Sequence, residues 1–281
     1  MNILLVTNDW MPKKGGISTY LENIVKNLDH KFIVYGPNWV EGENTFNADV
    51  NFLFNSRKVF KDIQSIVEKN HIDIILHGSS NPNFLFINKL NTLNIPDSPK
   101  NIKIPQYMIC HGAEFNVLNY IPIIRNALKR NLDNLNKIFT VSEFSRKKLN
   151  NITSTDVVNI GAGIELPNYD NNYDRNEFLT IGVVSRLVSR KKISWLIDVT
   201  HDLREEGFQI ELKILGYGKQ ESYLKKLSSV SAANVSFIKE ENDKDLDQFY
   251  KSIDLFAMPS KSKYFGIEYE LSLIHISEPT R

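Results

Sequence analysis

The fold is decided by MNILLVTNDWMPKKGGISTY, residues 1–20, where a buried strand leads into a glycine-containing loop and then a helix. We predict a strand at Asn2–Thr7 and a helix at Ser18–Leu28, whose apolar residues recur at helical spacing. Further strands and helices alternate along the chain, with strands predicted at Phe32–Tyr35, Ile72–Leu76, Tyr107–Cys110 and Lys137–Val141. This βαβα order predicts a parallel sheet covered by helices.

A polar segment separates this series from a second one. Residues 165–177, ELPNYDNNYDRNE, lack periodicity and are interpreted as a linker. Beyond it, strands are predicted at Phe178–Val184, Ile210–Leu215, Val235–Ile238 and Leu255–Met258. We therefore predict an N-terminal Rossmann-like domain over residues 1–164 and a partial second one over residues 178–270. Periodicity alone equally fits a two-domain dehydrogenase or a binding protein.

The charge balance limits the classes of partner. The net charge is +1 over 281 residues, which argues against a nucleic-acid-binding protein. Residues 101–150 nevertheless carry eight basic and three acidic side chains, so a local basic zone is predicted. A helix over Pro122–Leu135 in this zone has two interpretations. It is either a peripheral contact with anionic membrane, or a core-packed helix with a solvated basic edge. The apolar residues of the membrane interpretation are Ile121, Ile123, Ile124 and Leu128.

Cysteine usage and the apolar runs indicate the compartment. The single cysteine, Cys110, excludes an internal disulfide framework and suits a reducing cytoplasm. The first residues lack the features of a signal peptide, and no apolar run has the ~20 residues needed to span a bilayer. We expect a cytoplasmic protein, with any membrane contact peripheral at the inner face.

Paired glycines, Gly15 and Gly16, stand between the first strand and its helix. They let a backbone approach a ligand closely, and the helix N-terminus beyond them attracts an anion such as a diphosphate. The alternative is a flexible loop that needs positive φ. The spacing matches neither the dinucleotide fingerprint nor the phosphate-binding P-loop.

His-Gly pairs follow two of the predicted strands, at His77-Gly78 and at His111-Gly112. Ligands of open α/β sheets bind beyond the carboxyl ends of the strands, so His111 and the nearby Glu114 are candidate catalytic residues. A metal pair has little support because no third ligand lies near in the sequence. The alternative for each pair is a turn with a hydrogen-bonded histidine.

The strongest local pattern is GVVSRLVSRKK, residues 182–192, where a strand ends in a basic loop. Arg186 and Lys191 can hold a diphosphate and stabilise it as a leaving group, whereas the alternative is a solvated basic turn. After the next strand, Gly216 and Gly218 would leave space for a base or ribose. Asp243-Lys244-Asp245 matches a metal-binding carboxylate pair, but we interpret it as the start of a helix.

Taken in order, these segments resemble glycosyltransferase family 4. The Pro12 to Tyr20 loop, the His111-Gly112-Ala113-Glu114 segment and the strand-to-helix step at Val141–Ser145 are similar to family motifs. So are the segments Ile160–Ile164, Ser185–Lys191, Leu215–Gly218 and Asp254–Ser260. The similarity extends from residue 1 to about residue 267, and the order and spacing of the motifs carry it.

The resemblance implies a GT-B fold, with two Rossmann-like doubly wound domains facing each other across a cleft and the second incomplete. It implies a retaining hexosyltransferase that uses a GDP- or UDP-sugar, needs no cofactor or metal, and acts on a glycan or lipid-linked acceptor in cell-surface polysaccharide synthesis. Gly15, Gly16, Arg186 and Lys191 would then bind the donor diphosphate, and Gly216, Gly218 and Phe237 the nucleotide. The alternatives are a non-enzymatic or degenerate nucleotide-sugar-binding protein and a sugar-nucleotide 2-epimerase.

The sequence departs from the family pattern near its end. Lys263 and Leu271 stand where the family has two glutamates that contact the donor, and Lys192 replaces a glycine. Residues 271–281, LSLIHISEPTR, equal the translation of a common transposon-type sequencing adapter in one frame. We therefore expect a non-native tail on a natural sequence truncated after about Glu270, and an inactive chain as it stands.

Overall fold

The computed structural model describes residues 1–13, 15–49, 56–79, 83, 86–112, 122–163, 178–239 and 243–260. The contacts divide the chain into two compact units, Met1–Ile164 and Glu165–Arg281. The predicted linker, residues 165–177, lies outside the described residues, as do Lys263 and the tail at residues 271–281.

The first unit contains a parallel seven-stranded sheet. Its strands are β1 (Asn2–Val6), β2 (Lys31–Gly36), β3 (Thr45–Asn47), β4 (Ile74–His77), β5 (Gln106–Cys110), β6 (Lys137–Thr140) and β7 (Val157–Asn159). They are ordered β3-β2-β1-β4-β5-β6-β7. The helices are α1 (Gly16–Asn27), α2 (Ser56–Asn70), α3 (Ile87–Leu90), α4 (Pro122–Leu132) and α5 (Glu143–Asn150). The strand order reverses between β1 and β4, which defines a doubly wound sheet.

Alternating residues of β1 supply both faces of this sheet. Leu4 packs into a core cluster that includes Val59 and Ile63 of α2. Leu5 belongs to the cluster on the opposite side, which contains Leu21 of α1. Since successive side chains of a strand point to opposite faces, helices cover the sheet on both sides.

The second unit contains a parallel four-stranded sheet. Its strands are β8 (Leu179–Val184), β9 (Ile210–Leu215), β10 (Asn234–Ile238) and β11 (Leu255–Phe256), ordered β10-β9-β8-β11. The helices are α6 (Ile193–Glu205), α7 (Glu221–Ser229) and α8 (Asp243–Lys251), and a 3-10 turn spans Ser189–Lys191. Here the strand order reverses between β8 and β11.

The predicted elements are present with shifted ends. The first helix begins at Gly16 rather than Ser18. Ser142 caps α5, where its side chain accepts a hydrogen bond from Ser145 N at 3.2 Å. The start of a helix at Asp243 is confirmed, although the acidic side chains there lie outside the description. Helix α2 was not predicted from the sequence; its buried residues are Val59, Ile63, Ile66 and Val67.

Helix α4 packs against the core of the first unit. Leu128 and Leu132 are fully buried in a cluster with Met108 and Ile138. Burying one leucine contributes roughly 1.5–3 kcal/mol, so Leu128 is held in the core and supplies no membrane-facing surface. The prediction that Leu128 faces a membrane is wrong. The side chains of Ile121, Ile123 and Ile124 lie outside the description. No helix in the described part of the chain is long and apolar enough to cross a membrane.

Candidate functional site

The carboxyl ends of β1, β4 and β5 form the candidate site of the first unit. Strands β1 and β4 are neighbours at the point where the strand order reverses, and β5 lies next to β4. Ligands of open α/β sheets bind at such a point. The loops that follow these strands carry Asp9, Gly78 and His111, so residues far apart in the sequence meet at one edge.

His111 is held in place at this edge by its surroundings. Its Nε2 lies 2.9 Å from the carbonyl oxygen of Gly78, and its ring contacts the Tyr20 ring edge-on at 5.4 Å between centroids. The Tyr20 hydroxyl in turn donates to the carbonyl of Gly161 at 3.0 Å. Burial lowers the pKa of His111, against the opposing effects of the Gly78 carbonyl and Asp9. The neutral ring donates through Nε2, so Nδ1 is its acceptor nitrogen.

Asp9 is a site residue that the sequence analysis missed. Burial raises the pKa of its carboxyl, while the charges of His111 and Lys13 oppose this shift. The carboxyl of Asp9 is therefore coupled electrostatically to both side chains. The available signal was an acidic residue directly after a buried strand, but its pairing with His111 depends on the sheet order. Glu114, the predicted partner of His111, lies outside the described residues.

His77 differs from His111 although both belong to His-Gly pairs. It is the last residue of β4 and is fully buried. Its Nε2 lies 3.0 Å from Oε1 of Gln106, whose amide nitrogen donates to the carbonyl of Ile87, so Nε2 of His77 carries the proton. Burial lowers the pKa of His77 to about 4. His77 therefore matches the alternative stated for both His-Gly pairs, which is a turn with a hydrogen-bonded histidine.

Gly15 and Gly16 stand at the N-terminus of α1 in open space. Gly15 has an extended backbone with φ of −174°, and neither glycine has positive φ. A Cβ on either residue would have no neighbour within 4 Å. The alternative of a loop that needs positive φ is therefore wrong. Gly15 is the N-cap of α1, a position where glycine is common, and its amide donates to Ser18 Oγ at 2.9 Å. The role of Gly15 and Gly16 in diphosphate binding stays a prediction.

Arg186 and Lys191 follow β8, at the point where the second sheet reverses its order. Arg186 is exposed in the loop after β8. Lys191 is half-buried at the end of the 3-10 turn, and its Nζ lies 3.8 Å from Sδ of Met258, two residues beyond β11. The two cations thus stand where this class of sheet binds ligands. Their role in diphosphate binding stays a prediction.

Gly216 and Gly218 support the loop that carries Arg186. Both have positive φ, and a Cβ on Gly216 would stand 2.0 Å from the carbonyl oxygen of Ser185. The amide of Leu187 donates to the carbonyl of Tyr217 at 2.9 Å, which ties the two loops together. Glycine is thus required here for backbone packing. Whether the same residues also bind the nucleotide stays a prediction.

Phe237, the third predicted nucleotide-binding residue, lies in β10. Its side chain is half-buried and packs against the apolar cluster beneath α6 and α7. Lys225 of α7 places its Nζ 5.6 Å from the ring centroid. These contacts give the ring a packing role, and its predicted contact with a nucleotide stays a prediction.

The backbone conformation of Lys192 explains why the family pattern has a glycine at this position. Its backbone is left-handed, with φ of 52° and ψ of 35°, between the 3-10 turn and α6. A residue with a Cβ is strained by roughly 1–2 kcal/mol in this conformation, whereas glycine is not. The Nζ of Lys192 lies 5.2 Å from the Trp195 ring centroid, a contact that offsets part of the strain.

We expect Lys192→Gly to be more stable than Lys192→Ala by about 1 kcal/mol. Both variants lose the contact with Trp195, so the comparison isolates the backbone. Urea denaturation of the two variants measures the difference in unfolding free energy. Equal stability of the glycine and alanine variants would contradict a left-handed backbone at this position.

No group of metal-binding side chains lies among the described site residues. Across the described ranges, no group of three or more histidine, cysteine or acidic side chains is arranged to hold a metal ion.

Comparisons with known proteins show which sequences this chain resembles. Residues 169–269 match the family of glycosyl transferases group 1. A GDP-mannose-dependent alpha-(1-6)-phosphatidylinositol monomannoside mannosyltransferase of Mycolicibacterium smegmatis is 24% identical over 302 residues, covering 98% of this chain and 77% of the relative. A GDP-mannose-dependent monoacylated alpha-(1-6)-phosphatidylinositol monomannoside mannosyltransferase of Corynebacterium glutamicum is 21% identical, covering 97% of this chain and 76% of its own.

Solved structures show the same fold. The apo form of the lipopolysaccharide outer core galactosyltransferase WaaB has a TM-score of 0.67 at 12% identity, covering 99% of this chain and 82% of its own. The fold is thus that of the GT-B enzymes, as predicted. The chain is a glycosyltransferase that uses a nucleotide-sugar donor, which confirms the enzyme class predicted from the sequence motifs, and the match over residues 169–269 supports the predicted resemblance to group 1.

Proposed function

We propose that the protein transfers mannose from GDP-mannose, with retention of anomeric configuration, to a lipid-linked acceptor in the synthesis of a cell-surface glycan. The observation that carries the proposal is the placement of Arg186 and Lys191 at the switch point of the second sheet, where a diphosphate would be held. Two cations there can offset the charge that develops on a leaving nucleoside diphosphate. The GDP-mannose dependence of the relatives supports the choice of donor.

The acceptor is proposed to bind at the first unit. Asp9 and His111 stand at its ligand-binding edge, and a neutral imidazole there can orient a sugar hydroxyl through Nδ1. The relatives act on phosphatidylinositol monomannosides, so we propose an acceptor with a phosphodiester headgroup.

The test is a transfer assay with GDP-mannose, UDP-glucose and UDP-galactose as donors and a phosphatidylinositol mannoside as acceptor. We expect product with GDP-mannose, and proton NMR of the new linkage to show an α-anomer. Product with a UDP-sugar and none with GDP-mannose would contradict GDP-mannose as the donor. Binding of GDP without any transfer would favour a nucleotide-sugar-binding protein.

Peripheral contact with anionic membrane is proposed through the basic edge of α4. Arg125 and Lys129 are exposed and line a cavity of about 340 Å³ with the loop after α5. Lys129 is paired with Asp133 at 3.0 Å, so Arg125 is the principal unpartnered charge among the described cavity residues. A phosphate headgroup would fit such a surface by charge.

We expect the protein to co-sediment with anionic vesicles more than with neutral ones, and Arg125→Gln to reduce this binding several-fold. Each basic residue near an anionic surface contributes about 1 kcal/mol, which sets the size of the effect. Salt should weaken the binding further. Equal partitioning into both kinds of vesicle would contradict the membrane contact. It would favour the alternative, a core-packed helix with a solvated basic edge.

A further inference from the structure

Two loops of the first unit are joined at the carboxyl ends of β1 and β2. The amide of Glu41 donates to the carbonyl of Met11 at 3.0 Å, and the amide of Lys13 donates to the carbonyl of Trp10 at 3.2 Å. Lys13 comes from the loop after β1, and Trp39 comes from the loop after β2. The Nζ of Lys13 lies 3.5 Å from the centroid of the Trp39 ring. The ammonium of the first loop therefore contacts the aromatic ring of the second, and we call this ring its aromatic support.

The contact with Trp39 restrains a charged side chain that is otherwise mobile. A lysine side chain loses about 2 kcal/mol of rotamer freedom when it is ordered. Contact between an ammonium and an indole face contributes about 0.5–1 kcal/mol at an exposed site, which offsets part of this cost before any ligand arrives. Trp39 is half-buried and Lys13 is exposed, so the outer side of the ammonium faces solvent. Among the described residues, Lys13 forms no ion pair that would neutralise it.

The ammonium also lies beside the proposed acceptor site. Lys13 is four residues after Asp9 in the same loop, and its charge acts on the Asp9 carboxyl together with that of His111. An acceptor that presents a sugar hydroxyl to His111 would extend the rest of its headgroup over the neighbouring loops. A fixed cation at this point favours an anionic headgroup over a neutral one.

We propose that Lys13, supported by Trp39, is a specificity-determining residue that binds the phosphodiester of the acceptor. The inference rests on the proposed function, since it assigns the anionic part of the same acceptor. The donor diphosphate offers the same chemistry from a second source, because Gly15 and Gly16 follow Lys13 in the chain. The experiment must therefore separate the acceptor from the donor.

Calorimetric or NMR titration with three soluble probes makes this separation. The probes are glycerophosphoinositol, which carries the phosphodiester, myo-inositol, which lacks it, and GDP. We expect wild-type protein to bind glycerophosphoinositol about tenfold more tightly than myo-inositol, the effect of one charge-assisted hydrogen bond. Lys13→Met should abolish this preference and leave GDP affinity unchanged. Lys13→Arg should retain the preference, and Trp39→Leu should reduce it several-fold.

Lys61→Met is the matched control, because Lys61 is exposed on α2 and lies in neither loop. It should behave as wild type with all three probes, and melting temperatures verify the folding of every variant. A wild-type protein without the preference, or a Lys13→Met variant that keeps it, overturns the inference. A loss of GDP affinity in Lys13→Met also overturns it and places Lys13 at the donor. Absence of mannose transfer alongside the expected probe preference would instead count against the proposed function.

Discussion

Arg186→Ala and Lys191→Ala are each expected to weaken binding of GDP-mannose by about tenfold or more. A hydrogen bond to a charged group contributes roughly 1.5–3 kcal/mol, and each 1.4 kcal/mol corresponds to a tenfold change in Kd. Arg186 is exposed, so its guanidinium can turn toward a ligand without breaking a buried contact. Lys191 is half-buried beside Met258, which limits the positions of its ammonium and favours a defined contact.

Calorimetry with GDP and GDP-mannose measures the effect. Lys226→Ala is the matched control, because Lys226 is an exposed lysine of α7 and is not in the basic loop. Lys191→Arg should restore part of the affinity if charge matters more than shape, whereas Arg186→Lys should restore less, since a guanidinium binds two phosphate oxygens at once. Unchanged affinity in both alanine variants would remove the diphosphate assignment and leave a solvated basic turn.

The positions of the site loops could be predicted from the sequence because they depend on local pattern. A short apolar run that ends in a polar or glycine-containing turn marks the carboxyl end of a strand, and this rule located His111 and Arg186. The N-cap at Ser142 likewise depends only on residues close to it in the sequence. Helix α2 could also have been predicted, since its buried residues recur at helical spacing.

The missed features depend on contacts between distant segments. Asp9 and His111 are separated by a hundred residues, and only the order of β1, β4 and β5 brings them together. The requirement for glycine at Gly216 comes from the carbonyl of Ser185, some thirty residues earlier. Leu128 was included in the membrane interpretation because the sequence shows only its apolar neighbours along the helix, while the residues that bury it come from β5 and β6.

His111→Ala is expected to lower kcat by about a hundredfold or more while changing the melting temperature little. A positioned acid–base or orienting side chain contributes roughly 10²–10⁴-fold to the rate. Loss of the hydrogen bond between Nε2 and the Gly78 carbonyl costs about 0.5–1.5 kcal/mol, which is the contribution of a typical hydrogen bond and less than the cost of a cavity in the core. Turnover and thermal unfolding are measured on the same preparation of each variant.

His77 provides the matched control for this prediction. It also ends a strand and precedes a glycine, but it is fully buried and bonded to Gln106. His77→Ala should lower the unfolding free energy by several kcal/mol through a cavity and an unpaired amide, with kcat of the folded fraction near that of wild type. A loss of stability in His111→Ala as large as that in His77→Ala would indicate a structural histidine at both positions, and normal turnover in His111→Ala would eliminate its role in transfer.

The pH profile separates an orienting histidine from a charged one. Burial lowers the pKa of His111 below its ordinary value of 6.5, so the neutral ring persists to more acidic pH than a free imidazole. If neutral Nδ1 accepts a hydrogen bond from the acceptor, kcat should remain constant at neutral pH and fall only below 6.5, where the ring gains a proton. Asp9→Asn should shift this fall to still lower pH, because it removes a carboxylate that stabilises the imidazolium. A rate that instead increases as the pH falls through this range would mean that the charged ring is the active form.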